Sequence, residues 1–343
     1  MHLLDQQLAA SIRGDFETAW KLCEDMWQRE PHNDRLAFNR GWHIMAQGDL
    51  QEGMRLIDRG RQISVFGSKP LPSLKPHYDP SRHSLVGKTV LFRSEGGLGD
   101  EIINARFAND FAERGAKVIV SCDPGLAPVF ARMKGVGAVI QSGQELAAYH
   151  DYWVAGMSAV LHLGHTYQTL PSKPFLTPDD NMFSLWRGIV KGDNFKVGIR
   201  WSGNPQFEHE QNRRFDPTGI FELSNISGVK LYSFQRDSDL RQLPSSVTDL
   251  QLFLDSWEDT AASLSHMDLV ITSCTSVAHM SAALGKETWV IVPILPYYIW
   301  AIPGDSSPWY DNVRLFRQTQ FGDWTEPLVR IRQELIKKLA LNR

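Results

Sequence analysis

LVITSCTSVAHMSAALGKETWVIVP (269–293) is an apolar run that ends in a small polar turn, passes through a helical stretch and closes on a second apolar run. Two parallel strands need a crossover of this kind, so the segment predicts a βαβ unit from a sheet covered on both faces. At its centre Ser273, Thr275 and Ser276 bring hydroxyls and unpaired backbone N–H groups to a helix start, a ready site for a diphosphate without a metal ion. His279 lies one turn inside, on the side of Thr275 and Ser276. A histidine there is either a satisfied core residue or a phosphate or ribose contact, and the setting favours the contact.

The same alternation extends in both directions. Downstream of Lys196, strands are expected over 197–201, 230–234, 269–272, 289–292 and 313–316, with helices over 258–266, 276–284 and 326–341. Upstream, strands are expected over 89–93, 117–122, 138–141 and 152–154, with helices over 100–114 and 126–133. The fold class is therefore α/β with two lobes, 88–190 and 191–325, and a closing helix over 326–343 packing back across them. Such a tandem leaves a cleft between the ends of two sheets, where ligands of open α/β sheets bind.

Two further turns carry chemistry. In RSEGGLGDEI (93–102), glycines follow a strand and an acidic pair opens a helix, so that Gly97 and Gly99 let backbone approach a ligand closely. Asp100 serves there either as a helix cap, with Glu101 on the helix dipole, or as a catalytic carboxylate facing the cleft. In VGIRWSGNPQFEHEQNRRF (197–215), Arg200 ends an otherwise apolar strand, which solvation alone does not explain. Arginine's rigid fork suits phosphate, and the loop adds Asn204 and one of Arg213 and Arg214, with Arg214 taken as the contact.

The front of the chain is different. RGDFETAWKLCEDM (13–26) aligns with QGDLQEGMRLIDRG (47–60) at an offset of 34, the tetratricopeptide period, so 1–66 resembles about two such repeats. Pro31 ends a helix and Gly41 marks a close helix approach, whereas Arg40 and Gly53 depart from the pattern. Two repeats cannot bury a continuous core alone and must lean on the body, either as a structural cap or as a docking groove for an acceptor. The Pro-rich stretch within 67–87 is expected to be a linker.

The whole composition excludes several classes. A formal net charge of -3 gives no global footprint for nucleic acid or an anionic membrane. Cys23, Cys122 and Cys274 are widely spaced, which points away from a disulfide framework or zinc site and toward a reducing cytoplasm. No signal peptide or membrane span is expected, since no stretch approaches the ~20 apolar residues that a bilayer needs.

Taken together, GGLGDE (96–101), GIRWSGNP (198–205) with RRF (213–215), YSFQ (232–235), WEDTAASLSHMDLVITSCTSVAHMSAALGK (257–286) and SSPWY (306–310) resemble glycosyltransferase family nine. That family contains the bacterial lipopolysaccharide heptosyltransferases, and the front segment is similar to its tetratricopeptide-bearing relatives. The resemblance covers roughly residues 85–340 and implies a GT-B fold of two Rossmann-like lobes and an inverting transfer from a nucleoside-diphosphate sugar, without cofactor or metal. It implies Asp100 as general base, Arg200 as a donor phosphate contact, and Thr275, Ser276 and His279 at the pyrophosphate. Gln235, Asp259 and Thr260 match positions lining the nucleotide pocket. Cys274 stands where the family usually has an acidic residue, a departure that fits a changed donor or a lapsed transferase acting as a scaffold. An epimerase or hydrolase on the same fold is a further alternative.

Overall fold

The computed structural model describes residues 3–207, 209–236 and 243–341; positions 1–2 of the expected helical segment and 342–343 of the closing helix lie outside them. Four helices come first, α1 (Leu3–Ile12), α2 (Phe16–Arg29), α3 (Asp34–Ala46) and α4 (Leu50–Asp58). The two aligned stretches start their helices alike. A glycine at positive φ, Gly14 or Gly48, precedes an aspartate, Asp15 or Asp49, whose carboxylate accepts the N–H of Thr18 or Glu52. Gly41 is required on α3 because a Cβ there would lie 2.7 Å from the Gly53 carbonyl of α4. Arg40 pairs with Glu24 at 2.5 Å and lies over the rings of Trp20 and Trp27, covering apolar surface with its stem.

The first lobe follows as β1 (Thr89–Arg93), α5 (Leu98–Glu113), β2 (Lys117–Cys122), α6 (Ala127–Phe130), β3 (Val136–Gln141), β4 (Tyr152–Ala155) and α7 (Ala159–Leu163). Its sheet is parallel, in the order β3-β2-β1-β4. The helix expected over 126–133 is a single turn, α6, with Pro128 in its first turn; beyond it the chain closes into tighter turns, Arg132 N–H donating to Val129 O and Met133 N–H to Phe130 O.

The second lobe runs through α8 (Asp180–Ile189), β5 (Phe195–Arg200), α9 (Glu210–Arg213), α10 (Thr218–Phe221), β6 (Val229–Ser233), β7 (Val247–Asp249), α11 (Trp257–Ser265), β8 (Leu269–Ser273), α12 (Ser276–Ala283), β9 (Thr288–Val292), β10 (Ser306–Ser307), β11 (Tyr310–Arg317) and α13 (Thr325–Leu341). Its strand order is β10-β11-β9-β8-β5-β6-β7, parallel except for the short β10. Without β10, this is the doubly wound order in which the chain starts at the centre, fills one half and crosses back.

Three expected boundaries shift. Segment 67–87 is packed rather than loose, because Tyr78 N–H donates to Trp153 O and Trp153 N–H to Pro76 O along the edge strand β4, with Leu71, Tyr78 and Leu85 buried. Helix α8, assigned above to the first lobe, packs on α11 of the second, with Phe183 stacked on His266 and Trp186 Nε1–H donating to Asp259. Among the described residues, the buried core positions of the closing helix, Ile331 and Leu335 of α13, do not span both lobes but join the second-lobe core alone. Its ion pairs, Glu334 with Arg314 and Lys338 with Glu287, hold it on that lobe.

The helical segment is fastened to the body by a buried ion pair. Arg61, just after α4, grips Glu95 with both guanidinium ends at 2.5 and 2.8 Å, and Glu95 also accepts the amides of Ser68 and Met157. Met45, Leu50, Met54 and Ile57 belong to the same apolar core as the first lobe.

Candidate functional site

Each sheet has a switch point, between β1 and β4 in the first lobe and between β5 and β8 in the second. Connections leave in opposite directions there, which opens a crevice outside the carboxyl ends of the strands. The turns after β1, β5 and β8 all line one cleft of about 1800 Å³, whose wall also includes α1, α3, the segment after β9 and residues at the start of α11.

On the first-lobe side, Asp100 is both a helix cap and a cleft residue. Its Oδ2 accepts the Gly97 N–H at 2.9 Å, closing the start of α5, while Oδ1 accepts the Tyr297 hydroxyl of the second lobe at 2.6 Å. Only glycine suits position 96: φ is +79°, and a Cβ would lie 2.6 Å from Asp100 Oδ2. Burial raises the Asp100 pKa above 3.8, against the opposing pull of Tyr297, the Gly97 amide and the Arg213 charge.

On the second-lobe side, Arg200 lines the cleft with its side chain buried, donating to the carbonyls of Ser202 (2.9 Å) and Phe234 (3.0 Å). Gly203 and Asn204 line the cleft beside it. Arg213, not Arg214, is the loop arginine in the cleft. Its Nε donates to Glu210 at 2.5 Å and its Nη1 to the Cys274 carbonyl at 2.7 Å, with the guanidinium over the Phe207 ring. Arg214 is exposed outside the cleft, because the backbone leaves the α9 turn there in an extended conformation. Gln235 does not line the cleft either. Its amide braces the loop, with Oε1 accepting from the Trp201 and Ser202 amides and Nε2 donating to the Ser202 hydroxyl at 2.7 Å.

The turn after β8 is left open. Thr275 is the N-cap of α12, but its side chain makes no cap; its Oγ1 instead lies 3.3 Å from Thr272 Oγ1. The start of α12 therefore faces the cleft with amides that no cap side chain satisfies, and the helix dipole adds positive potential. Cys274 is buried, its Sγ accepting the Trp300 indole N–H at 3.0 Å. His279 packs against both Trp300 and Tyr310, which also touch each other, and burial, with Arg106 and Arg213 nearby, pushes its pKa down to about 3, so the ring is neutral. Thr260 lines the cleft with Trp257 and Leu254. Asp259 does not, since it caps α11 through Ser256 and accepts from Trp186.

The two sides meet at Gly99. A Cβ on it would lie 3.2 Å from His279 Cδ2 and 3.7 Å from Ser276 N, so the turn bearing Asp100 rests against the open start of α12. Among the described residues, no group of three or more His, Cys, Asp or Glu is arranged to hold a metal ion, and no helix is long and apolar enough to cross a membrane.

Tyr297, Trp42 and Trp257 are cleft residues that the sequence did not single out, and Arg213 is the one it weighed against Arg214. The available signal for Tyr297 was PILPYYIWAIP (293–303), an aromatic pair bracketed by prolines directly after a strand. Trp201, Trp300 and Trp309, which lie near turns in the sequence, are core residues at 2%, 1% and 0% exposure.

No family model matches the chain. A curated relative, Protein FlbA of Caulobacter vibrioides, is 24% identical over 93% of this chain and 58% of its own length, so the chain spans little more than half of that relative. Among solved structures, the E. coli ADP-heptose lipopolysaccharide heptosyltransferase II aligns at a TM-score of 0.54 and 14% identity, over 74% of this chain and 99% of that one. The family 9 glycosyl transferase of Veillonella parvula aligns at 0.56 and 11%, over 74% and 97%. Behind its helical front, the chain has the two-lobed α/β fold of these glycosyltransferases.

Proposed function

We propose that the protein is a glycosyltransferase, moving a sugar from a nucleoside-diphosphate sugar to a hydroxyl of a glycan or protein acceptor, with inversion and without a metal ion. The observation that carries this reading is the contact at Gly99: a cleft carboxylate from one lobe lies beside an uncapped helix start from the other. A base and an anion cradle so placed suit a single displacement. Asp100 takes the acceptor's proton as the acceptor oxygen bonds to the anomeric carbon, and the bond to the diphosphate breaks on the opposite side. The leaving charge falls on the amides at the start of α12 and on Arg213 and Arg200, donors already in place before the charge develops.

Phe234, Leu254, Trp257 and Thr260 form the part of the cleft wall suited to a nucleoside, with apolar and aromatic surface and one hydroxyl. The acceptor enters along α1 and α3, whose Gln7, Arg35, Asn39, Trp42 and His43 line the same cleft. Cys274 does not weaken the cradle, because its carbonyl rather than its side chain holds Arg213.

Thermal denaturation in the presence of ADP-heptose and of other ADP-, GDP-, UDP- and CMP-sugars tests the reading. At least one is expected to raise the melting temperature in proportion to its saturation. Failure of every sugar nucleotide to bind by calorimetry would favour a scaffold role instead.

A further inference from the structure

We propose that the Tyr297 hydroxyl holds the acceptor's place on Asp100, so that an acceptor reaches the carboxylate only by displacing it. The inference rests on Asp100 being the base and identifies a residue that controls access to it.

The two carboxylate oxygens have different tasks. Oδ2 is committed to the backbone, closing α5 through the Gly97 amide. Oδ1 is the oxygen left for chemistry, and at 2.6 Å from it sits a hydroxyl, the functional group that a sugar or a hydroxyl-bearing side chain presents. Burial and the neighbouring Asp100 charge push the Tyr297 pKa well above 10, so the hydroxyl stays protonated and donates, as an incoming acceptor does before transfer.

Packing alone does not call for this bond. The adjacent Tyr298 is the core anchor at 1% exposure, whereas Tyr297 is half-buried and lines the cleft. Its ring lies edge-on to Trp42 of α3, centroids 5.9 Å apart. Trp42 lines the same cleft, so a molecule entering along the helical wall meets the support of the Tyr297 ring before it meets Asp100. Held in this way, Tyr297 also keeps water off Oδ1 while donor waits without acceptor. If water took its place, the water oxygen would bond to the anomeric carbon, its proton would pass to Asp100 and the nucleoside diphosphate would leave, wasting the donor.

The test is donor hydrolysis without acceptor, using whichever of the ADP-, GDP-, UDP- and CMP-sugars stabilises the wild-type protein most. Tyr297→Phe is expected to raise hydrolysis about tenfold, below the ~10²–10⁴ that a positioned general base supplies in full. The double variant Tyr297→Phe/Asp100→Asn is expected to lose that gain. Trp42→Leu, which leaves the hydroxyl but removes the support of its ring, is expected to give a smaller rise and serves if Tyr297→Phe does not fold. Hydrolysis unchanged or reduced in both single variants, with donor binding and melting temperature intact, overturns the proposal and leaves the transferase reading standing. Absence of any sugar-nucleotide binding by the wild type removes both.

Discussion

The helix starts of α5 and α12 each flank the switch point of a sheet, meet at Gly99, and are finished in opposite ways. At α5 the protein supplies its own anion, since Asp100 folds back onto the Gly97 amide. At α12 the N-cap Thr275 turns its hydroxyl toward Thr272 instead, leaving the amides to the cleft. One helix dipole is thus answered from within and the other awaits a negative ligand. The proposed diphosphate chemistry needs both: a carboxylate held still on one side and unspent donors on the other.

The largest expected effect breaks the closed end. Asp100→Asn keeps its size and is expected to lower transfer by ~10²–10⁴ while donor affinity is nearly unchanged, measured by initial rates alongside calorimetry. As the proposed base, Asp100 must be ionised, so the wild-type rate is expected to fall as pH drops through its raised pKa, at a higher pH than the ordinary 3.8 would give. Wild-type rates in the Asn variant would remove the base assignment.

Glu101, the second acid of the same helix start, sharpens the contrast through stability. Burial lifts its pKa from 4.5 to about 7, although it accepts the Asp123 amide. Between those values the folded carboxyl retains a proton that the unfolded one has lost, so stability falls as pH rises through this window, by roughly 3 kcal/mol in all. Melting temperatures of Glu101→Gln from pH 4 to 8 are expected to lack that decline.

The open end is probed by Arg213→Gln, which keeps a donor for Glu210 but removes the charge. It is expected to weaken donor binding by about ten- to a hundredfold, the worth of a charge-assisted hydrogen bond of ~1.5–3 kcal/mol. Next in size is Gly96→Ala, expected to lose ~1–2 kcal/mol of stability at its left-handed φ and to push Asp100 out of line, lowering rate more than affinity. Smallest is Arg214→Ala, expected to stay within ~0.5 kcal/mol of wild type in stability and leave donor binding unaltered, because the side chain is exposed outside the cleft. An equal loss of donor binding in Arg213→Gln and Arg214→Ala would contradict this division of the pair.

Much of this was legible in the chain. The runs at 89–93 and 117–122 are the observed β1 and β2, because a strand buried on both faces must be continuously apolar and is bounded by polar turns. Asp100, Arg200, Asn204, Thr275, Ser276 and His279 all reach the cleft because each sits at, or within one turn of, a strand-to-helix turn whose place in the topology is set locally. Gln235 and Asp259 occupy comparable turns but spend their side chains on neighbouring backbone and caps, a choice decided by which acceptor lies nearest in space.

Residue order by itself determined the alternating strands and helices, the paired helices at the front and the three turns where chemistry could gather, since periodicity, caps and glycines act over a few residues. Only the tertiary structure decided that Arg213 rather than Arg214 enters the cleft, that Trp42 and Tyr297 face one another across 255 positions of chain, and that Tyr297 rests on Asp100. Those contacts join separate elements, and their partners are fixed by how packed bodies dock rather than by any spacing along the chain.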